Sequence, residues 1–365
     1  MFNKQRLLGI DLLRGLAAFA VIVVHSGDET WGVSVSYWAL QFRLFFYFAV
    51  PFFLATSFFF TTRKLGENIS LQFLLAKFQR IFIPYTVWSI FYIVLGIIIF
   101  PLIHQSHRIN ELFQDPFAII FFGGASYHLY FLPLLFSGTL LVFLLDNLVK
   151  HRSRIKIMAF LSIVGIIVNY LIAWSGNSFN LGSHTAFTSL LSLIKPNTIE
   201  YLVARFLLVQ IVWILICLPY FCLAIISNHL LLKVNLYVVK SRSTILLFLC
   251  IFIVVNTLGK VFIASEVSNI IIAFSLLFVG ICLSSQIKES KIIKDLGNCS
   301  FGIYLIHPII KKTMGIILTF AVPQVTSQVT VMSMLCFSIP SFFISWLVVS
   351  LLMKNKHFAK YIFGN

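Results

Sequence analysis

The amino-acid sequence predicts an all-α, polytopic integral membrane protein with about ten transmembrane helices. Hydrophobic residues make up 60% of the 365 positions and charged residues only 10%, whereas a soluble domain carries about 25% charged residues. The chain therefore lacks the charges that would cover its surface in water, and most of that surface is expected to face lipid. Ten apolar runs, each close to the roughly 20 residues that a bilayer core requires, account for most of the length.

Each apolar run is predicted to be a helix, because a helix satisfies its own backbone polar groups where water is absent. The first run follows basic residues as a signal peptide does, but Asp11 and Arg14 interrupt it, which favours a permanent first span. The two longer connections, near 102–127 and 175–202, are candidates for re-entrant or acceptor-binding structure. The ten runs lie near residues 7–26, 42–61, 81–101, 128–148, 157–174, 203–227, 244–261, 268–286, 299–320 and 329–352.

Lysine and arginine are dense in every second connection between the runs. With the N-terminus inside, 19 of the 27 basic residues fall in the inner segments, seven fall in the outer half, and Arg14 falls within a span. Because cytoplasmic loops carry an excess of Lys and Arg, both termini are predicted to be cytoplasmic. The same clustering explains the formal net charge of +16 without a face that binds nucleic acid.

Three ionisable residues, Asp11, Arg14 and His25, lie in the first span. An ionisable group inside a membrane is costly and is usually functional. Asp11 and Arg14 are neighbours at i, i+3 on a helix, and Arg14 and His25 share a face about 16 Å apart along the axis. Gly15 and Ala18 lie close to this face and are expected to leave room beside it. The alternative is an Asp11–Arg14 ion pair that only anchors the helix, with His25 among the outer headgroups.

Polar side chains in two later spans are further candidates. His307 lies inside the ninth span, with Tyr304 one turn before it and Pro308, which kinks a helix, directly after it. His128 and Tyr130 stand at the outer end of the fourth span. The alternatives are hydrogen-bonded structural histidines and, for Tyr130, a place in the aromatic belt at the membrane surface.

Lys77 and Arg80 precede the third span at i, i+3, close to the cytoplasmic surface. Two cations there suit the phosphates of a donor molecule, although positive-inside anchoring predicts the same pattern. The sequence contains no Walker A loop and no GxSxG or HExxH motif, and its 11 acidic residues form no cluster that would bind a metal. The six cysteines form no CxxC pair and are interpreted as small buried hydrophobic residues.

Four segments, in order, resemble the signature motifs of the acyltransferase-3 family of membrane-bound carbohydrate O-acyltransferases. Lys77, directly before the second segment, and Tyr130, in the third segment, replace the Arg and the Trp that are usual at these positions. The motifs span residues 8–310, and the resemblance implies the family's ten-helix fold, as a single transmembrane domain over residues 1–365 with no fused soluble domain. The four segments are Asp11 to Gly15 followed by His25, which matches an arginine–ten residues–histidine signature; Phe78 to Tyr85; His128 to Leu132; and Leu296 to His307.

The resemblance implies transfer of an acyl group, in the simplest case acetyl, from cytoplasmic acyl-CoA to a hydroxyl of a cell-surface or lipid-linked carbohydrate. Acyl-CoA would be a co-substrate, with no bound cofactor and no metal. The implied partners are this donor, the carbohydrate acceptor and the lipid bilayer, and not nucleic acid. The protein would lie in the inner cell membrane as a multi-pass protein. The alternative is a transporter or flippase of a glycan or lipid-linked sugar, which a polar stripe within ten helices also suits.

The resemblance also assigns roles to the motif residues. His25 would be the general base, since histidine titrates near neutral pH. Arg14, oriented by Asp11, would bind the CoA phosphates or stabilise developing negative charge. The residues implied to bind the donor are Arg14, Lys77 and Arg80, and those implied to bind substrate are His128, Tyr130, Tyr304 and His307.

Overall fold

The computed structural model describes residues 6–26, 33–63, 71–102, 104–145, 154–180, 184–233 and 239–364. Across these residues the structure is helical, with two isolated backbone bridges and no β-strand. Nine helices of the described chain are long and apolar enough to cross a membrane, and Phe131–Leu144 is a shorter apolar helix. Each of the ten predicted runs falls on one of these helices, so the predicted all-α, polytopic fold is confirmed. The cytoplasmic location of both termini stays a prediction.

Helices make up most of the described chain. In the first half they are α1 (Leu8–His25), α2 (Tyr37–Phe45), α3 (Ala49–Thr62), α4 (Leu71–Leu102), α5 (His107–Phe113), α6 (Pro116–Phe121), α7 (Phe131–Leu144) and α8 (Arg154–Trp174). In the second half they are α9 (Thr188–Leu191), α10 (Ile199–Lys233), α11 (Arg242–Val254), α12 (Lys260–Phe262), α13 (Ser265–Ser284), α14 (Lys291–Ala321), α15 (Pro323–Thr326), α16 (Val331–Leu352) and α17 (Lys356–Phe363). A 3₁₀ turn, Phe46–Phe48, joins α2 to α3, and a π-helical turn, Val255–Gly259, joins α11 to α12.

The chain divides into two compact units. The first comprises Met1–Ser57 and Leu230–Lys356, and the second comprises Phe58–His229 and His357–Asn365. The first unit therefore contains α1, α2 and α11 to α16, and the second contains α4 to α9 together with nearly all of α17. Residues of α3 and α10 belong to both units.

In the first unit, α1 packs against α13, α14 and α16. Glycines and alanines are frequent on α1, and small residues let helix backbones approach closely inside a membrane. A Cβ on Gly9 would lie 2.2 Å from the Gly280 carbonyl oxygen of α13, and the Gly9 backbone N–H donates to Ser284 Oγ at 2.9 Å. This bond satisfies one of the N–H groups that the first turn of a helix leaves without an intrahelical acceptor.

In the second unit, α4 packs against α5 and α7. The Tyr85 hydroxyl donates to the Ile119 carbonyl oxygen at 2.6 Å and accepts from the Gly123 N–H at 3.0 Å. Gly123 has φ +79°, and a Cβ there would lie 2.3 Å from the backbone nitrogen of Tyr130. Because a side chain is excluded at this position, glycine permits the tight turn that leads into α7.

The C-terminal helix α17 packs on α4 through its apolar face. Ala359 and Phe363 are buried, and Trp88 Nε1 donates to the Ile362 carbonyl oxygen at 2.9 Å. The rings of Trp88 and Phe363 lie 6.5 Å apart. Elsewhere, exposed apolar side chains such as Trp174 and Phe320 agree with an exterior that faces lipid.

Candidate active site

Asp11, near the start of α1, is held by Arg6. The carboxylate is 5% exposed and accepts a hydrogen bond from Arg6 Nε at 2.5 Å. Arg6 Nη2 also donates to the Lys294 carbonyl oxygen at 2.9 Å and to Asn298 Oδ1 at 2.8 Å. This network ties the beginning of α1 to the beginning of α14. By sequence, Arg6 is one of the inner basic residues that set the topology, and that pattern does not predict its bond to Asp11.

Arg14 lies half-buried one turn after Asp11. The space expected beside it at Gly15 is occupied, which corrects the sequence-based expectation. A Cβ on Gly15 would lie 2.3 Å from Leu296 Cγ, so the glycine accommodates this leucine of α14 and leaves no room there for a ligand. Gly15 therefore serves helix packing. Orientation of Arg14 by Asp11 and binding of CoA phosphates stay predictions.

His25, at the end of α1, lies against His307 of α14. The two rings are stacked, with centroids 5.6 Å apart and planes inclined by 26°. His307 is fully buried, and its Nδ1 lies 2.6 Å from the Tyr304 carbonyl oxygen. A carbonyl oxygen only accepts, so Nδ1 must donate, and in the neutral ring Nε2 then carries the lone pair. The structure thus brings together His25 of the first predicted span with Tyr304 and His307 of the ninth.

Two cations lie near this histidine pair. Lys311, one turn after His307, is 5% exposed and donates from Nζ to the His25 carbonyl oxygen at 2.7 Å. Arg43 of α2 lies within electrostatic range of His25. By sequence, both cations are among the seven basic residues of the outer half, and that count does not predict their place beside the histidines. For Lys311, the signal was a charge within an apolar helix, which is costly in a membrane.

Lys77 and Arg80, the cations predicted to bind donor phosphates, lie on α4 in the second unit. Lys77 is half-buried and donates from Nζ to Thr61 Oγ1 at 3.0 Å. Arg80 is exposed, and Gly364, directly after α17, packs against its backbone. Donor binding by these two cations stays a prediction.

His128 and Tyr130, predicted to bind substrate, lie in the turn that precedes α7. His128 is buried, its Nδ1 lies 3.1 Å from Ser126 Oγ, and its ring meets that of Tyr92 edge-on at 5.2 Å. Tyr130 is half-buried and stacks on Phe179 at 6.4 Å. Burial and a hydrogen bond suit the structural alternative for His128, whereas Tyr130 remains partly accessible. Substrate binding stays a prediction for both.

The nine predicted site residues fall into two groups, one in each compact unit. The first unit contains Asp11, Arg14, His25, Tyr304 and His307, and the second contains Lys77, Arg80, His128 and Tyr130.

Among the described residues, no group of three His, Cys, Asp or Glu side chains could hold a metal ion.

The fold and this site define a polytopic helical membrane protein whose spans carry a histidine pair with adjacent cations. The chain belongs to the acyltransferase-3 family, since the family model, described as an acyltransferase domain, matches residues 7–350. No curated protein and no solved structure matches the chain. The resemblance carried by the four motifs is thus confirmed over nearly the whole sequence, and the protein is a membrane-bound acyltransferase.

Proposed function

We propose that the protein transfers an acyl group, in the simplest case acetyl, from cytoplasmic acyl-CoA to a hydroxyl of a cell-surface or lipid-linked carbohydrate. The observation that carries this proposal is the stacked pair of His25 and His307 with Lys311 bonded to the His25 carbonyl oxygen. Acyl transfer requires a base for the attacking hydroxyl and positive charge near the oxyanion that develops. The pair and its cation supply both types of group within one unit.

In the proposed reaction, His25 acts as the general base. The acceptor oxygen forms a bond to the acyl carbon while its proton passes to His25. The C–S bond to coenzyme A then breaks, and the departing thiolate takes up the proton. A correctly placed base contributes roughly 10²–10⁴ in rate, and one oxyanion donor contributes about 10²–10³.

His307 acts as the partner that orients His25. Its Nδ1–H is committed to the Tyr304 carbonyl oxygen at 2.6 Å, which fixes the ring and directs its lone pair to Nε2. Its full burial prevents the ring from turning to solvent. Stacking against a fixed ring restricts the positions of His25, and correct orientation of reacting groups is worth several kcal/mol, on the order of 7–11 at most.

The donor is proposed to bind through cations nearer the predicted cytoplasmic side. Coenzyme A carries phosphates, and a guanidinium binds two phosphate oxygens at once. Arg14 lies about 16 Å along α1 from His25, so the two residues suit opposite ends of an extended donor. Lys77 and Arg80 are proposed to contact the diphosphate.

The test is release of coenzyme A by the purified protein in lipid nanodiscs. Acetyl-CoA is supplied with and without a glycan acceptor, and both free thiol and acetylated product are measured. His25→Ala should lower the acceptor-dependent rate by about 10²–10⁴ at unchanged protein level. His357→Ala, which changes an exposed histidine on α17, is the matched control and should retain full activity.

Two results would contradict the proposal. A wild-type protein that releases no coenzyme A with any glycan would favour a transporter or flippase, which needs no acyl donor. Normal acetylation by His25→Ala would show that this histidine is not the base.

For the donor site, Arg14→Ala should raise the KM for acetyl-CoA. An unchanged KM would show that Arg14 only anchors the helix.

A further inference from the structure

Two long connections of the second unit meet at one buried arginine. Arg205 of α10 is 6% exposed. Its Nη1 donates to Asp115 Oδ1 at 3.1 Å, its Nη2 donates to the other carboxylate oxygen, and its Nε donates to the His184 carbonyl oxygen at 3.1 Å. Asp115 lies between α4 and α7, and His184 lies between α8 and α10. One guanidinium therefore joins the two segments for which the sequence predicts re-entrant or acceptor-binding structure.

The Asp115–Arg205 pair leaves this region without net charge. Burial alone would raise the pKa of the Asp115 carboxyl, but hydrogen bonds from Arg205 and from the Ala118 N–H lower it below its usual value. The carboxylate is therefore ionised and cancels the charge of Arg205. Burial, together with Arg205, lowers the pKa of His184 despite the opposing effect of Asp115. Its imidazole is thus neutral at pH 7, and a neutral ligand suits the region better than an anion.

An aromatic wall, formed by Tyr130, Phe179 and Trp213, stands beside this ion pair. The Phe179 ring lies 5.1 Å from that of Trp213 and 6.4 Å from that of Tyr130. The His184 ring lies 6.4 Å from Phe179 on the same segment. Tyr130, Phe179 and His184 are each half-buried rather than closed off, so part of the wall and the neighbouring imidazole stay accessible.

Two polar atoms at the wall have no hydrogen-bond partner among the residues that the structure describes. One is Nε1 of Trp213, whose side chain is fully buried, and the other is Nδ1 of His184. Buried polar groups are nearly always hydrogen-bonded, so each exception indicates a place where a partner could be supplied. A tryptophan N–H only donates, whereas a neutral imidazole both donates and accepts.

We propose that the aromatic wall of Tyr130, Phe179 and Trp213, with His184, binds the sugar ring of a neutral carbohydrate acceptor. This inference rests on the proposed function and names the place where its acceptor docks. Small-molecule sites combine aromatic surface with a few polar groups that set orientation. A pyranose offers an apolar C–H face to the half-buried rings of Tyr130 and Phe179, and its hydroxyls bond to the half-buried imidazole of His184, which both donates and accepts. The fully buried Trp213 packs against Phe179 and supports that ring. The Asp115–Arg205 pair positions the wall but does not contact the sugar.

The experiment measures sugar binding separately from catalysis. Full-length protein in nanodiscs is titrated with maltotetraose and with chitotetraose as neutral probes, and with tetragalacturonate as an anionic probe. Phe179→Ala should weaken binding of the neutral probe that binds best by about tenfold, and Trp213→Phe, which changes the ring that packs against Phe179, should weaken it by about threefold. The matched controls are Phe160→Ala and Trp174→Phe, which change exposed rings of α8 and should leave the dissociation constant unchanged. His184→Gln provides a third variant if Trp213→Phe misfolds in size-exclusion chromatography.

The outcomes separate this inference from the proposed function. Neutral-sugar binding that weakens in the wall variants alone supports the subsite, even if no coenzyme A is released. Release of coenzyme A that responds to sugar, combined with unchanged binding in Phe179→Ala and His184→Gln, overturns the subsite and leaves the proposed function standing. Equal or tighter binding of tetragalacturonate, no saturable binding of either neutral probe, or an equal loss in the control variants also overturns it.

Discussion

The contact between Gly15 of α1 and Leu296 of α14 predicts a non-additive pair of substitutions. In Gly15→Ala, the new Cβ would lie 2.3, 2.4 and 2.7 Å from Cγ, Cδ2 and Cδ1 of Leu296. Carbon atoms prefer separations of about 3.5–4.0 Å, so the leucine or the helix must move by about 1 Å. Overpacking of this kind costs about 1–3 kcal/mol. The change also lies next to Arg14, so donor affinity should fall together with stability.

Removal of the leucine side chain relieves the clash. Leu296 is buried, so Leu296→Ala alone should cost about 2–5 kcal/mol, because it removes apolar contacts and leaves a cavity. The Gly15→Ala methyl group would occupy part of that cavity. The double variant is therefore expected to be about 1–2 kcal/mol more stable than the sum of the two single effects.

The assay is reversible unfolding in mixed micelles with increasing dodecyl sulfate, followed by intrinsic fluorescence. The control is Gly315→Ala on α14, the helix that carries Leu296, since a Cβ on Gly315 would meet only Phe337, at 3.7 Å. That substitution should be neutral or stabilising by about 0.5–1 kcal/mol, because alanine favours a helix over glycine. Additive effects of Gly15→Ala and Leu296→Ala, within about 0.5 kcal/mol, would refute the packing argument.

Two further predictions concern the second unit. Asp115→Asn should destabilise the protein by about 2 kcal/mol at pH 7, less than the 3–5 kcal/mol of a fully buried pair, because the Asp115 side chain is 33% exposed. Because the pKa of Asp115 is lowered in the folded state, this stabilisation is complete above about pH 4 and is lost as the pH falls through the folded-state pKa. The thermal midpoint of the wild-type protein should therefore fall more on acidification below pH 4 than that of the variant. Trp88→Phe removes the hydrogen bond to the Ile362 carbonyl oxygen and should weaken docking of α17 by about 1 kcal/mol, so proteolysis should cut the C-terminal segment faster.

Each of these predictions has a control and a contrary result. Arg205→Met should abolish the same acid-dependent fall of the thermal midpoint. If the thermal midpoints of the wild-type protein and Asp115→Asn change equally with pH, the lowered pKa of Asp115 does not stabilise the fold. Trp174→Phe, an exposed tryptophan of α8, should leave proteolysis unchanged. A cleavage rate for Trp88→Phe equal to that of this control would show that the hydrogen bond does not hold α17.

The spans were predictable because their signal is local. A run such as 81–101 needs only its own composition to be identified, since a lipid environment requires every backbone polar group to be satisfied within the helix. The residues outside the runs were less predictable. The long helix α4 begins at Leu71, ten residues before the predicted apolar run. The run was predicted to begin later because Gln72, Lys77 and Arg80 lower the hydropathy of these first turns. The fourth run falls on α7, whose 14 residues are fewer than the 18 or more of the nine helical segments of the described chain that could cross a membrane.

The candidate site was predictable only in part. His25 and His307 stood out because ionisable residues are costly within apolar spans, but nothing in either span indicated that their rings would stack. Lys311 and Arg205 were treated as topology charges, because a count of basic residues cannot distinguish a buried cation from one at the membrane surface. The partner of Asp11 was sought within α1, where helical spacing favours Arg14, while the structure adds Arg6.

By itself, the sequence determined the class of fold, the number of apolar runs and the positions of polar residues within them, because each depends on a short stretch of chain and on lipid as the solvent. Only the tertiary structure decided which of those residues meet. His25 reaches His307, Asp115 reaches Arg205, and Leu296 fills the space at Gly15, and in each case the partner lies on a distant segment. Such partners follow from how the helices pack together, and no local sequence pattern predicts that packing.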